Sequence, residues 1–245
     1  MKMFLLGSEI SHSASPAHWK KTFAEKGLDW TYELADIPEE DDAKKFILEK
    51  AYTAINITTP WKKLAFFCAD SVDGASKFAG GCNFLVNKQG KLEGHNVDGL
   101  GCVNFLKSTG FNFPNKIVYV CGFGPTAKSV AYACKTEGAS VTMLSRTFDE
   151  ERVELCAGVG IALRTYDCDL SDANLVINAT TLGMKRGDAS PISTMSSACT
   201  YFDCVYGHGE TEFIKKAHNA GTVCYDGAGM LEAQAVACEE ILFLE

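Results

Sequence analysis

The stretch "VYVCGFGPTAKSVA" sets Gly122, Gly124 and Ala127 in the spacing G-x-G-x-x-A, with an apolar β-branched run before it and a helical pattern after it. In a dinucleotide-binding turn the first glycine makes the tight bend, the second lets backbone approach a pyrophosphate, and the third position, where alanine also fits, packs helix on strand. The phosphates then meet the positive end of a helix dipole. Pro125 suits the first helical position and Thr126 follows it. The expectation is a parallel, doubly wound α/β unit that holds a dinucleotide.

The next strand runs into "LSRTFDEER". An NAD site places an acidic residue roughly 20 positions past the glycine turn, to hold the ribose 2′-OH. Ser145, Arg146 and Thr147 stand there instead. A guanidinium and two hydroxyls suit a 2′-phosphate, so NADP is expected. Arg152 lies a little further on, and the sequence leaves open whether it joins Arg146 at the phosphate.

Similar rhythm fills the rest of the chain. "MFLLG", "TYELADI" and "YTAINI" alternate with helical patterns from Pro16 to Gly27 and over "PEEDDAKKFILEKA", which predicts a mostly parallel sheet. "TTPWKK" reads as a helix opening with Thr59 as cap and Pro60 at the first position, putting Lys62 and Lys63 in a first turn where the dipole disfavours cations. "CNFLVNKQGKLEGHNVDG" breaks the rhythm with a hairpin about Gln89-Gly90, before a helix near Asp98. Strands in "KIVYVC", "SVTMLSR", "IALRTY", "NLVINAT", "TYFDCV" and "GTVCYD" follow, and a last helix runs from about Gly229. Two α/β domains are expected, one over residues 1–98 plus 228–245 and one over 99–227, joined near 96–110.

A net charge of −8 without a basic block gives nucleic acid no footprint. "MKMFLLGSEI" is too poor in apolar residues for a signal core and no run is long enough to span a bilayer, so a cytoplasmic protein is expected. The 11 cysteines are odd in number, scattered, and free of C-x-x-C pairs; they read as small buried hydrophobes, with no metal site.

"GSEISHSASPAHW" offers Ser15 as a cap before Pro16, and the Ser13 and Ser15 hydroxyls could both face a carboxylate in the crevice of the first sheet. With this loop the whole pattern resembles the shikimate dehydrogenase family over nearly the full chain: "SHSASPAH", "NITTPWK", "AGGCN", "GHNVDGLG", "CGFGPTAKSVA", "SRT", "NATTLGM", "DCVYG" and "GAGMLEAQA" occur in the family's order. The resemblance implies a substrate-binding α/β domain followed by a Rossmann-type NADP domain. It implies a catalytic Lys62 and Asp98, and substrate contacts from Ser13, Ser15, Asn56, Thr58, Asn83, Tyr206 and Gln234. Cofactor contacts are implied at Gly122, Gly124, Pro125, Thr126, Ala127, Ser145, Arg146, Thr147, Asn178, Thr180, Gly183, Met184 and Gly229.

Reduction of a ring ketone needs one positioned acid. In a first turn at a cleft edge, dipole and desolvation disfavour charge on Lys62, while Asp98 favours it. By residue type alone Asp98 could be a plain N-cap. His12 and His95 read as structural hydrogen-bond partners, His218 as a surface residue, and Lys63 as a side chain extending to solvent.

Several positions depart from the family pattern. Phe84 and Val97 stand where threonines are usual, His208 where proline is usual, and Trp19 where asparagine follows the histidine. Lost hydroxyls change which substrate a site prefers. The implied reaction is NADP-dependent reduction of 3-dehydroshikimate to shikimate. The rivals are a paralogue acting on quinate or another hydroxylated cyclohexane carboxylate, and a non-catalytic NADP sensor. The expected partner is the small-molecule substrate, with no nucleic acid and no membrane, and a homodimer is allowed for.

Overall fold

Each half of the chain builds its own sheet around short apolar strands. The computed structural model describes residues 1–11, 13 and 15–243. The first unit comprises Met1–Val97 and the residues from Cys238 on; the second comprises Asp98–Ala237.

In the first unit the elements are β1 (Lys2–Gly7), α1 (Ser15–Glu25), β2 (Thr31–Asp36), α2 (Glu40–Glu49), β3 (Ala54–Ile57), α3 (Lys62–Cys68), β4 (Ser71–Val72), α4 (Gly74–Ala79), β5 (Phe84–Lys88) and β6 (Lys91–His95). The strands lie in the order β2-β1-β3-β5-β6-β4. β1 pairs parallel with β2 and β3, whereas β5 runs antiparallel to β3 and β6. Leu6, Ile47, Ile55, Leu85 and Leu92 fill the core on one face. The β5–β6 turn puts both Gln89 (φ 54°) and Gly90 (φ 85°) in the left-handed region, as a two-residue primed hairpin turn requires.

Two starts differ from expectation. α1 begins at Ser15 itself, whose N–H donates to Ser13 Oγ at 3.2 Å. α3 begins at Lys62, with Trp61 rather than Thr59 at the N-cap and Pro60 outside the helix, after a cis Thr59–Pro60 bond. Trp61 N donates to Thr58 O at 2.9 Å, closing a turn, and the buried indole donates from Nε1 to Ile37 O at 2.8 Å. Anchoring Trp61 in this way leaves the two lysines as the first helical residues. The short α4, absent from the sequence reading, is held by Asp73 Oδ1 accepting from Ser76 N at 2.6 Å and by Gly80 as a left-handed stop.

The second unit holds α5 (Asp98–Ser108), β7 (Ile117–Cys121), α6 (Pro125–Thr136), β8 (Ser140–Leu144), α7 (Glu150–Ala157), β9 (Ala162–Arg164), β10 (Leu175–Asn178), β11 (Thr200–Asp203), α8 (Glu212–Asn219), β12 (Cys224–Tyr225) and the first part of α9 (Ala228–Phe243). Its strands lie in the order β12-β11-β10-β7-β8-β9, with parallel pairing throughout the described ladders. Counted along this unit, that is the doubly wound order 3-2-1-4-5-6. The order reverses between β7 and β10, so a crevice for a ligand opens beyond their carboxyl ends. No helix among the described residues is long and apolar enough to cross a membrane.

Candidate active site

The glycine turn follows β7 directly. Gly122 has φ +113°, and a Cβ on it would lie 2.9 Å from Ala179 O, at the end of the neighbouring β10. Only glycine fits so close to that carbonyl at positive φ. Gly124 is the N-cap of α6 with Pro125 next; no side chain caps it, and no described atom lies within 4 Å of where its Cβ would be. The turn thus leaves open space beside Gly124 at a helix start that no side chain caps, the kind of helix N-terminus that suits an anion. Ala127 is buried and brings the helix down on the sheet.

At the end of β8, Ser145 Oγ accepts from Thr147 N at 3.2 Å and from Arg152 Nη1 at 3.1 Å. Arg152 also reaches Thr147 O at 3.4 Å, while Arg146 points from an exposed position. The second arginine is therefore bonded to the "SRT" turn.

After β10 the loop is shaped by Asn178, a fully buried residue. Its Nδ2 donates to Leu182 O at 3.0 Å and Asp203 Oδ1 at 2.9 Å, and its Oδ1 accepts from Thr180 Oγ1 at 2.7 Å and Thr180 N at 3.1 Å. Every polar valence of the amide is engaged, so Asn178 shapes the loop that carries Thr180, Gly183 and Met184. Gly183 N is in turn held by Asp188 Oδ2 at 3.0 Å, and Met184 is exposed. Asp203, missed by sequence reading, is the hub: it also accepts from Thr211 Oγ1 at 2.6 Å and Val205 N at 3.0 Å. Burial pushes its carboxyl up despite these donors. Asn178→Ala is expected to cost about 2 kcal/mol by leaving that carboxylate a donor short, read as a lowered melting temperature together with weaker NADP binding.

Asp98 opens α5. Its Oδ2 accepts from Thr126 Oγ1 at 2.8 Å and its Oδ1 from Gln234 Nε2. Burial and the Asp98 charge push the Tyr206 phenol up. The second unit by itself therefore brings together the aspartate, a glycine-loop threonine and the glutamine expected to read substrate. Two glycines make this possible. A Cβ on Gly99 would lie 2.7 Å from Ser129 C and 2.8 Å from Ala133 Cβ on α6, and one on Gly101 would lie 2.9 Å from Met230 O on α9. Gly99 N donates to Ser129 Oγ at 2.9 Å. Gly229 likewise lies against the Phe105 ring.

In the first unit Ser13 Oγ donates to Ser15 Oγ at 3.2 Å. Ser15 lies within hydrogen-bonding reach of the Tyr32 hydroxyl, which donates to Asn56 Oδ1 at 2.9 Å. Asn56 Nδ2 donates to Cys238 Sγ at 3.3 Å. Tyr32 stacks on Trp19 at 5.8 Å, and burial pushes its phenol far up. Sequence reading missed Tyr32, yet the strand register carries a signal. Met3 pairs with both Tyr32 and Ala54, and Asn56 lies two residues on, so Tyr32 and Asn56 share a face.

Lys62 is pinned through its backbone: its carbonyl accepts from Cys82 N at 2.8 Å, and Gly81 packs against it. Thr58 N donates to Leu6 O at 2.9 Å, and Ile57 N to Asn83 O at 2.7 Å. Asn83 Oδ1 accepts from Val97 N at 2.8 Å, fastening the residue before Asp98. Phe84 and Val97 are both buried. Lys62 thus belongs to the first unit and Asp98 to the second.

His95 Nδ1 pairs with Asp73 Oδ2 at 3.2 Å, the structural role expected of it, and His218 is exposed beside Glu210. His12 lies outside the described residues. No group of three or more His, Cys, Asp or Glu able to hold a metal occurs among the described residues.

The family model for the shikimate dehydrogenase substrate binding domain matches residues 5–85. A Methanopyrus kandleri protein named shikimate dehydrogenase (NADP(+)) is 31% identical, over 97% of this chain and 88% of its own. A Staphylococcus aureus protein of the same name is 32% identical, over 96% of this chain and 89% of its own. Among solved structures, shikimate 5-dehydrogenase from Thermus thermophilus in complex with NADP(H) and shikimate is similar with a TM-score of 0.88 at 26% identity, covering 100% of this chain and 94% of its own.

Proposed function

Because the chain belongs to the shikimate dehydrogenase family, we propose that it interconverts 3-dehydroshikimate and shikimate with NADP as hydride carrier. The observation that carries the reading is the hydrogen bond from Thr126 Oγ1 to Asp98 Oδ2 at 2.8 Å, which ties the aspartate at the family's catalytic position to the nucleotide turn. The open space at Gly124 and the Ser145, Thr147 and Arg152 turn fit the dinucleotide and its 2′-phosphate. Bound NADPH supplies the hydride for the ring carbon.

The protein supplies the proton. In the reductive direction the Lys62 ammonium donates to the carbonyl oxygen as that oxygen gains charge; in the oxidative direction the neutral amine takes the hydroxyl proton. Asp98, at the family's other catalytic position, is the second residue assigned to this proton transfer. Ser13, Ser15 and Tyr206 hold the substrate carboxylate through neutral donors, and Asn56, Thr58, Asn83 and Gln234 read the ring hydroxyls. The 11 cysteines are free thiols, in keeping with a reducing, cytoplasmic setting.

Buried Phe84 and Val97 favour a second reading, oxidation of quinate or a related hydroxylated cyclohexane carboxylate, since neither side chain can bond a ring hydroxyl. Initial rates with shikimate and quinate, each with NADP and NAD, separate the readings. The shikimate–NADP pair is expected to turn over fastest, and a faster quinate reaction would install the second. Binding of NADP without turnover of any pair would leave a sensor.

The neighbouring lysine serves as a control. Lys63 is exposed, its Nζ 5.9 Å from the Phe67 ring centroid. Lys63→Ala should leave kcat and KM within about twofold of the parent values, as exposed substitutions do; steady-state kinetics checks this.

A further inference from the structure

Two cations converge on one aromatic ring beside the glycine turn. Phe123 stands between Gly122 and Gly124, and its ring centroid lies 5.6 Å from Lys128 Nζ and 4.9 Å from Arg152 Cζ. The ring's negative π face attracts both, while the two charges repel each other. Burial, and then the Arg152 charge, push the Lys128 ammonium down from its ordinary range. Lys128 also lies in the first turn of α6, where the dipole disfavours a cation. Asp149 Oδ2, 3.4 Å from Arg152 Nε, offsets part of this charge. Arg152 Nη1 also donates to the Ser145 hydroxyl at 3.1 Å. Charge gathered against both repulsion and a helix dipole suits a dianion, and a phosphomonoester on an adenosine ribose has the charge and the acceptor oxygens to match.

We propose that Phe123 is a positioning residue for the 2′-phosphate of NADP: its ring gathers Lys128 and Arg152 beside Ser145, so that cofactor choice rests on this trio more than on the exposed Arg146. The inference rests on the NADP reading above and adds Phe123 and Lys128 to it. A ring flanked by the turn glycines couples pyrophosphate loop and ribose end in one rigid piece. Removing the π face releases both cations at once.

The test compares calorimetric binding of adenosine 2′,5′-bisphosphate with adenosine 5′-phosphate, two probes that differ only in the 2′-phosphate. Phe123→Leu is expected to weaken the bisphosphate about tenfold, the worth of one to two cation–π contacts, and to leave the monophosphate nearly unchanged. Phe123→Tyr should restore the parent ratio. Lys128→Met, which leaves the loop intact, should lower the ratio in the same way, and Arg146→Ala should lower it less. In turnover, Phe123→Leu should raise KM for NADP and spare kcat. Equal weakening of both probes by Phe123→Leu, or an unchanged ratio in Lys128→Met, would overturn the proposal while the NADP reading stands. A parent protein that binds both probes alike overturns the NADP reading, and this proposal with it.

Discussion

Replacing Lys62 with alanine lowers kcat about 10³-fold, the scale of a lost general acid and base, and leaves the fold standing. The side chain sits on the opening residue of α3, a helix whose buried residue is Ala65, and Lys62 is not among the buried core residues of the first unit. Alanine is also the better helix former and removes a cation from the dipole's positive end, so the helix does not suffer. The melting curve and the binding of NADP should match the parent while turnover collapses. Lys62→Arg should fail nearly as badly, because a guanidinium keeps its proton throughout the working pH range. A Lys62→Ala protein with near-parental turnover would remove Lys62 from the mechanism.

Gly99→Ala is expected to give the largest loss of stability. The added methyl would lie 2.7 Å from Ser129 C and 2.8 Å from Ala133 Cβ, and closer still to Ser129 O, all on a helix packed against α5. Most of this obstruction is backbone, which cannot rotate away. Overpacking of this kind costs about 3 kcal/mol, or about 10 °C in melting temperature for a chain of this size. Separation of α5 from α6 would also break the Gly99 N bond to Ser129 Oγ and draw Asp98 from Thr126, so activity should fall beyond what melting explains. An unshifted melting curve would mean the helices can part at no cost.

What the residues announced beforehand is what local chemistry determines. The Gly122 turn and the Gln89-Gly90 hairpin were legible because positive φ and spacing act within a few residues. The start of α3 was misread because the decisive interaction, Trp61 Nε1 with Ile37 O, spans 24 positions. Asp203 escaped notice for a similar reason: its bond to Asn178 joins strands 25 residues apart, and only the sheet order makes them neighbours. Gly99 and Gly101 read as part of a motif, but their need to be glycine shows only once α6 and α9 lie against them. Thr126 and Gln234 were expected at cofactor and substrate, and both bond Asp98 in the described structure.

The division of α9 has a consequence for synthesis. The second unit is one continuous stretch, Asp98–Ala237, and can close as soon as it leaves the ribosome. The first unit is made first but lacks the partners that Asn56, His18 and Thr22 find in Cys238 and Glu239. Asn56, which accepts from Tyr32, therefore gains its Cys238 partner only after the whole of the second unit has been synthesised, so the contacts of the first unit are completed later than those of the second.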